Sequence, residues 1–293
     1  MIAITGATGN IGSKIALDLL SRGEKVRCIA RGVKKLEMLA GKGADTTAFD
    51  LLDTGAMTKA FSGAEAVFVM IPPNYGAQDY GAYQKAVGES MVKAIDKAGV
   101  KAVVNLSSQG AHLAGKTGPI KGLHDQEQRL DKLPRLNVLH LRPCYFMENL
   151  LTNIDMIRKQ NMLGGALKAD MKIPMIATQD IAKFAAERLI HRDFSGIAVK
   201  DLLGQRDLSM NQAAVIIAEK IGRPDLKYVQ FSYEDTHSAL VSMGLSEDMA
   251  GLFIEMMRAF NDGLIKSHRT PENTTATPLE EFAAIFVKLL AGQ

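Results

Sequence analysis

Cysteine is scarce in this chain of 293 residues: Cys28 and Cys144 are the only two. Two cysteines make no disulfide framework, and no His/Cys cluster has zinc spacing, so neither disulfides nor a metal is expected. Cys28 reads as a small apolar residue within a strand, and the cysteine usage fits a reducing, cytoplasmic compartment. Excess charge of one sign is lacking too. The formal net charge is +3, with no block of like charges. That argues against direct binding of nucleic acid, which needs a concentrated basic face. No window approaches the apolar length of a membrane span, and Ala66 to Ile71 is only a strand's worth. The first residues run straight into a strand pattern, so no signal peptide is expected. A Gly-x-Ser-x-Gly elbow is missing, which leaves a hydrolase without support. Repeats and low-complexity linkers are missing as well, so any two lobes should share an interface, with a ligand cleft between them. What remains is the composition of an ordinary globular protein, long enough for one large or two modest domains.

The most informative stretch runs from Met1 to Arg31. Met1-Ile2-Ala3-Ile4-Thr5 has the length and β-branched content of a buried parallel strand. Gly6-Ala7-Thr8-Gly9-Asn10-Ile11-Gly12 follows it, and Ile15, Ala16, Leu19 and Leu20 then recur at helical spacing up to a stop at Gly23. In a strand, glycine turn and helix, each glycine has a task. Gly6 allows the sharp turn, Gly9 lets the backbone approach a pyrophosphate, and Gly12 lets the helix pack against the strand. The pyrophosphate would rest on the positive end of the helix. A second strand, Glu24 to Ala30, ends at Arg31, where an NAD-binding protein would usually place an acidic residue for the ribose hydroxyls. An arginine there suits a 2′-phosphate, with Lys34 and Lys35 adding positive charge, so NADP(H) is expected over NAD(H). A solvated surface cation is the plainer reading of Arg31.

Alternation continues. Helices are expected at Val33–Lys42, Thr54–Phe61, Tyr80–Ala98 and Gly122–Lys132, and strands at Thr46–Phe49, Ala66–Ile71, Ala102–Leu106 and Asn137–Leu141. Such a run implies an α/β fold with a doubly wound parallel sheet. Asp50 falls at a strand's carboxyl end, where it suits an adenine amine or, equally, a turn and helix cap. Beyond Phe146 the pattern loosens. Helices are expected at Asn149–Lys159, Thr178–Leu189, Ser232–Met243 and Ser246–Asn261, with short extended pieces at Ile173–Ile176 and Tyr228–Phe231. Ser209 with Gln212 forms a capping box for a helix to Ile221, and Thr277-Pro278-Leu279-Glu280 reads as N-cap and first turn of the last helix. The expected division is a dinucleotide-binding domain over 1–150, joined by 178–203, and a smaller α/β C-terminal substrate lobe over 151–177 and 204–293.

The order of glycine turn, Arg31, Ser107-Ser108 and Arg142-Pro143 resembles the short-chain dehydrogenase/reductase superfamily. The glycine turn and Arg142-Pro143-Cys144-Tyr145-Phe146-Met147-Glu148-Asn149 resemble its atypical NmrA-like branch, which includes NADPH-dependent quinone reductases and NADP(H)-sensing regulators. The resemblance implies a Rossmann domain with cofactor contacts at Gly6, Thr8, Gly9, Asn10, Ile11, Gly12, Arg31, Asp50, Leu51, Ile71, Pro72, Ser107, Pro143 and Tyr145. Tyr75, Phe146 and Asn149 would wall the substrate pocket, although Tyr145 and Phe146 also read as core aromatics. Met256, Met257 and Phe260 form a stripe that would line the pocket or, more ordinarily, pack in the core.

The departure from the superfamily is the missing Tyr-x-x-x-Lys pair, in which the lysine lowers a phenol's pKa so that it can protonate a forming alkoxide. Four residues after the six tyrosines stand Asp79, Gln84, Val87, Asn149, Ser232 and His237. His124 and Gln128 align with the missing pair. Two readings follow. In one, hydride passes from NADPH to a small quinone-like or carbonyl acceptor, with Ser107 orienting it and His124 or water supplying the proton. In the other, the chain is a non-catalytic NADP(H) sensor acting through a protein partner, and His124 is a solvent-facing helix residue. A homodimer is compatible with either.

Overall fold

In a computed structural model that describes residues 1–292, the chain builds one large sheet and two small ones. The first part runs β1 (Ile2–Thr5), α1 (Gly12–Ser21), β2 (Val26–Ala30), α2 (Val33–Ala40), β3 (Asp45–Ala48), α3 (Thr54–Phe61), β4 (Ala66–Val69), α4 (Tyr80–Ala98), β5 (Ala102–Leu106), α5 (Ile120–Leu130) and β6 (Asn137–Pro143). Then come β7 (Tyr145–Phe146), a 3₁₀ turn (Met147–Asn153), α6 (Ile154–Gln160), β8 (Met162–Gly165), β9 (Ile173–Ile176), α7 (Thr178–His191) and β10 (Ile197–Leu202). The remainder is β11 (Asp207–Leu208), α8 (Met210–Ile221), β12 (Lys227–Gln230), α9 (Tyr233–Ser242), α10 (Glu247–Asn261), α11 (Leu279–Phe282) and α12 (Ala284–Leu290), with a short 3₁₀ turn at Pro271–Asn273.

Seven strands lie parallel in the order β10-β6-β5-β4-β1-β2-β3, so the sheet is doubly wound and its order reverses between β1 and β4. Period-two alternation divides the strands between two cores. Ile2, Ile4, Cys28, Phe68, Val104 and Leu141 face α1 and α7, whereas Ala3, Ile29, Val67, Val69 and Val103 face α3 and α4. A third core gathers β9, α8, the last two helices and Phe260 of α10.

Several sequence expectations need correction. β10 was not expected as a strand; its residues 197–201 are only partly covered, and its tight pairing with β6 supplies what the weak apolar pattern lacks. The last helix starts at Leu279 after Pro278, not after a Thr277 cap, because Thr277 Oγ1 donates to Asp180 Oδ1 at 2.6 Å instead. That helix also breaks at Ala283. The helix expected over Asn149–Lys159 begins as a 3₁₀ turn and becomes α-helical at Ile154. The Ser209–Gln212 capping box forms as expected, with both reciprocal bonds made.

Candidate active site

At the carboxyl end of β1 the chain turns at Gly6, whose φ is +63°. A Cβ there would also press on Met70 Sδ at 2.8 Å, a flexible side chain, so it is the positive φ that calls for glycine. Gly12 is required by space alone, since a Cβ would overlap the Gly6 carbonyl and come within 3.1 Å of Ala7 Cα. Its close approach is therefore to the turn itself, not to the body of the strand as expected. Gly9 is exposed, and a Cβ there would touch only the Gly6 oxygen. Ala7 N–H donates to Ile29 O at 3.1 Å, which ties the turn to β2. The N–H groups of Asn10, Ile11 and Gly12 make no backbone hydrogen bond, and Ile11 caps α1 without a side-chain bond. The result is a concave set of donors at the positive end of a ten-residue helix.

Where the sheet order reverses, Thr5 Oγ1 donates to Phe68 O at 3.2 Å and accepts from Met70 N–H at 3.1 Å. The crevice opens just beyond. Arg31 is exposed at the end of β2 and makes no ion pair or hydrogen bond among the described residues. Its charge nevertheless reaches Tyr83, where burial pushes the phenol pKa up, Arg31 pulls it down and Asp50 pushes it up. Tyr83 donates to Pro72 O at 3.0 Å. Asp50 Oδ1 accepts from Leu52 N–H at 2.9 Å, as the turn reading has it, and Leu51 is buried in the core.

Across the switch point lies a cavity of about 250 Å³. Its floor is Met70, Ile71, Leu106, Ser107 and Ser108 at the ends of β4 and β5, and Phe146 closes one side. Tyr80 and Gln84 project from α4, Ile120 and Leu123 from α5. The roof is Met249, Phe253 and Met256, one stripe of α10. Tyr75 stacks on Phe253 with ring centroids 6.4 Å apart. α10 is fastened to the loop before α4: Ser246 N–H donates to Tyr75 O at 2.8 Å, and Tyr80 N–H donates to Asp248 Oδ2 at 2.8 Å. No Lys, Arg, His, Asp or Glu lines the cavity. Ser107 Oγ is buried there with no hydrogen-bond partner among the described residues.

The other expected residues divide. Gly6, Thr8, Gly9, Asn10, Ile11 and Gly12 form the cradle; Ile71, Ser107, Tyr75 and Phe146 reach the cavity. Pro143 ends β6 with its carbonyl taken by Gln109 N–H at 2.9 Å. Tyr145 does not line the cavity: it packs into the third core beside Tyr228, where burial pushes its phenol pKa well above the usual range. Asn149 is exposed and lies outside the cavity wall. His124 is also outside it, with Nδ1 2.8 Å from the Ala111 carbonyl. Of the α10 stripe, Met256 reaches the cavity while Met257 and Phe260 belong to the core. Tyr80, Tyr83, Met249 and Phe253 were missed, although the spacing of Met249, Phe253 and Met256 already marks one helical face.

Residues 1–283 match the family model described as the NmrA-like family. The chain belongs to the NmrA-like family. It is 27% identical over 286 residues to an NAD(P)H azoreductase of Xenophilus azovorans, covering 97% of this chain and 96% of that one. It is also 27% identical over 290 residues to quinone oxidoreductase 2 of Escherichia coli K12, again covering 97% and 96%. Among solved structures, the E. coli NADPH-dependent quinone oxidoreductase complexed with NADPH superposes with a TM-score of 0.82 at 24% identity, over 97% of this chain and 99% of that one. The Citrobacter sp. triphenylmethane reductase complexed with NADP(H) gives 0.80 at 21%, over 99% and 100%. At these identities the structural likeness speaks for the fold: the NmrA-like chain has the Rossmann architecture of both.

Proposed function

We propose that this NmrA-like protein is an NADP(H)-dependent oxidoreductase whose acceptor is a small quinone-like molecule. The observation that carries the reading is the apolar cavity beside the glycine cradle, with the unpartnered Ser107 hydroxyl at its floor. The cradle fits a dinucleotide, because the overlap at Gly12 and the free N–H groups of residues 10–12 form a surface for a pyrophosphate. Arg31, free of any acidic neighbour in hydrogen-bond reach, would grip the 2′-phosphate and favour NADP(H) over NAD(H). When bound, the nicotinamide supplies the hydride.

The protein's own residues then bind, orient and exclude water. Tyr75 and Phe253, stacked on each other, would offer one aromatic surface to a flat ring, while Met70, Met249 and Met256 offer polarisable contacts. The cavity is at the small end of ligand sites, which run upward from about 300 Å³, so it suits one or two fused rings. No His, Asp, Glu or Lys lines the cavity to supply a proton, which disfavours reduction to a basic alkoxide. The product of quinone reduction is a far less basic phenolate that water can protonate. The azoreductase and quinone oxidoreductase among the relatives support a planar conjugated acceptor. A cavity of acceptor size weighs against the sensor reading, for which a cofactor crevice would suffice. Two buried free cysteines suit a reducing, cytoplasmic setting.

The test is NADPH oxidation followed by absorbance with benzoquinones and naphthoquinones, alongside calorimetric titration of NADPH. Turnover well above the uncatalysed rate is expected; tight binding of NADPH with no turnover on any quinone would sink the enzyme reading.

A further inference from the structure

Tyr80 opens α4, and its side chain forms part of the cavity wall while only 4% exposed. Its backbone N–H is fixed by Asp248 of α10, but its hydroxyl makes no hydrogen bond within the described protein. The neighbouring phenol differs: Tyr83, whose ring centroid is 5.9 Å away, spends its hydroxyl on Pro72 O. Four residues after Tyr80 stands Gln84, itself in the cavity wall, with its amide donating to Pro119 O at 3.0 Å. No cation lies where a lysine would sharpen the phenol's acidity.

We infer that Tyr80 is the hydrogen-bond donor to the acceptor's carbonyl oxygen, and that it holds this oxygen without surrendering its own proton. This rests on the quinone reading above. Burial, with Tyr83 and Tyr75 nearby, pushes the phenol pKa well above its ordinary value, so proton transfer from it to a phenolate product runs uphill. In the balanced step the acceptor gains two electrons and one hydrogen as hydride, and one proton from water, which leaves hydroxide to the solvent. Tyr80 remains a phenol throughout. It thereby selects acceptors whose reduced oxygen is stable as an anion held by a hydrogen bond, and rejects simple ketones, whose alkoxides need a real acid.

The experiment compares wild type with Tyr80→Phe, which keeps the ring and removes only the hydroxyl. 1,4-Naphthoquinone is titrated into protein saturated with NADP⁺, where no reduction can occur, and its ¹³C-labelled carbonyl stretch is followed by infrared difference spectroscopy. A downshifted carbonyl band is expected in wild type and its partial return toward the free value in Tyr80→Phe. Quinone affinity should fall by about three- to tenfold, the span of one neutral hydrogen bond. kcat/KM should fall alongside, with NADPH affinity unchanged. If wild type turns over quinone but band and affinity are the same in both proteins, the Tyr80 assignment is overturned and the enzyme reading stands. If wild type binds quinone without turnover and the band still moves in Tyr80→Phe, the assignment stands and the enzyme reading falls. If wild type binds no quinone, both fall.

Discussion

In the glycine turn, seven consecutive residues from Gly6 to Gly12 bring free backbone N–H groups to the start of α1. In the cavity, Met70, Tyr80, Ser107, Ile120, Phe146 and Phe253 arrive from separate segments and supply side chains. The first construction is fixed at two positions, by the positive φ of Gly6 and by the backbone packed against Gly12. The second tolerates change of residue but not of assembly, because α10 must be fastened over the ends of β4 and β5. Within one molecule, the turn is therefore specified locally by two glycines and the cavity by the docking of distant segments.

The sharpest way to break that contrast is at Gly12. A Gly12→Val change drives carbons into the Gly6 carbonyl, which is backbone and cannot rotate away. A loss of about 3 kcal/mol of stability is expected, with NADPH binding lost altogether. Chemical unfolding and calorimetry measure the two; a variant that folds and binds NADPH normally would show the cradle to be less tightly built than its geometry says. Arg31→Ala comes next. Removal of one charge-assisted contact, worth roughly 1.5 to 3 kcal/mol, should weaken NADPH by about ten- to a hundredfold and leave NADH unchanged. Equal losses for both cofactors would move the 2′-phosphate elsewhere.

The same contrast explains how much of the molecule was legible beforehand. The strand, glycine turn and helix were readable because Gly6, Gly12 and the apolar repeat of α1 are close in sequence, so local chemistry fixes the local structure. Ser209 and Gln212 were readable for the same reason. Thr277 carries the same kind of signal and fails, because Asp180, nearly a hundred residues earlier, takes its hydroxyl. The cavity was half legible. Ser107, Ile71, Tyr75 and Phe146 follow strands, and strand ends converge by topology. Tyr80 and Phe253 lie on helices, and only the docking of α10 against the loop before α4 brings them together. Tyr145 sits one residue from Phe146 and points the opposite way, into the third core, as neighbouring residues of a strand do.

On the cavity side, Phe253→Ala removes the ring stacked on Tyr75 and opens the roof. The expected result is a rise of about fivefold in quinone KM, in line with an aromatic pair worth about 1 kcal/mol, with NADPH affinity unaltered. A fall in NADPH affinity instead would mean that the two halves are not separable. Alkali probes the strands under the cradle. Burial pushes the Cys28 thiol up to about 12 from 9.0, so the unfolded chain ionises first. The stabilisation is complete below pH 9 and is lost as pH climbs from 9 toward 12. One unit into that window costs about 1.4 kcal/mol, so Cys28→Ala should lose about 2 °C less in Tm than wild type between pH 8.5 and 10. Identical slopes would mean that the thiol is not held neutral by burial.

The smallest effect is expected at His124, the residue that the sequence offers as a proton donor. Its Nδ1 lies against the Ala111 carbonyl, and the ring is absent from the cavity wall, so it has no path to an acceptor oxygen without rearrangement of α5. His124→Gln retains a donor for Ala111 and removes the imidazole. Quinone kcat should change by less than about twofold, since a general acid worth the name contributes about a hundredfold or more. The profile of kcat against pH should stay flat from 5 to 8 in both proteins, because no His, Asp, Glu or Lys lines the cavity. A bell or step in wild type that vanishes in His124→Gln would return the proton to the histidine, and would require α5 to turn His124 inward during the reaction.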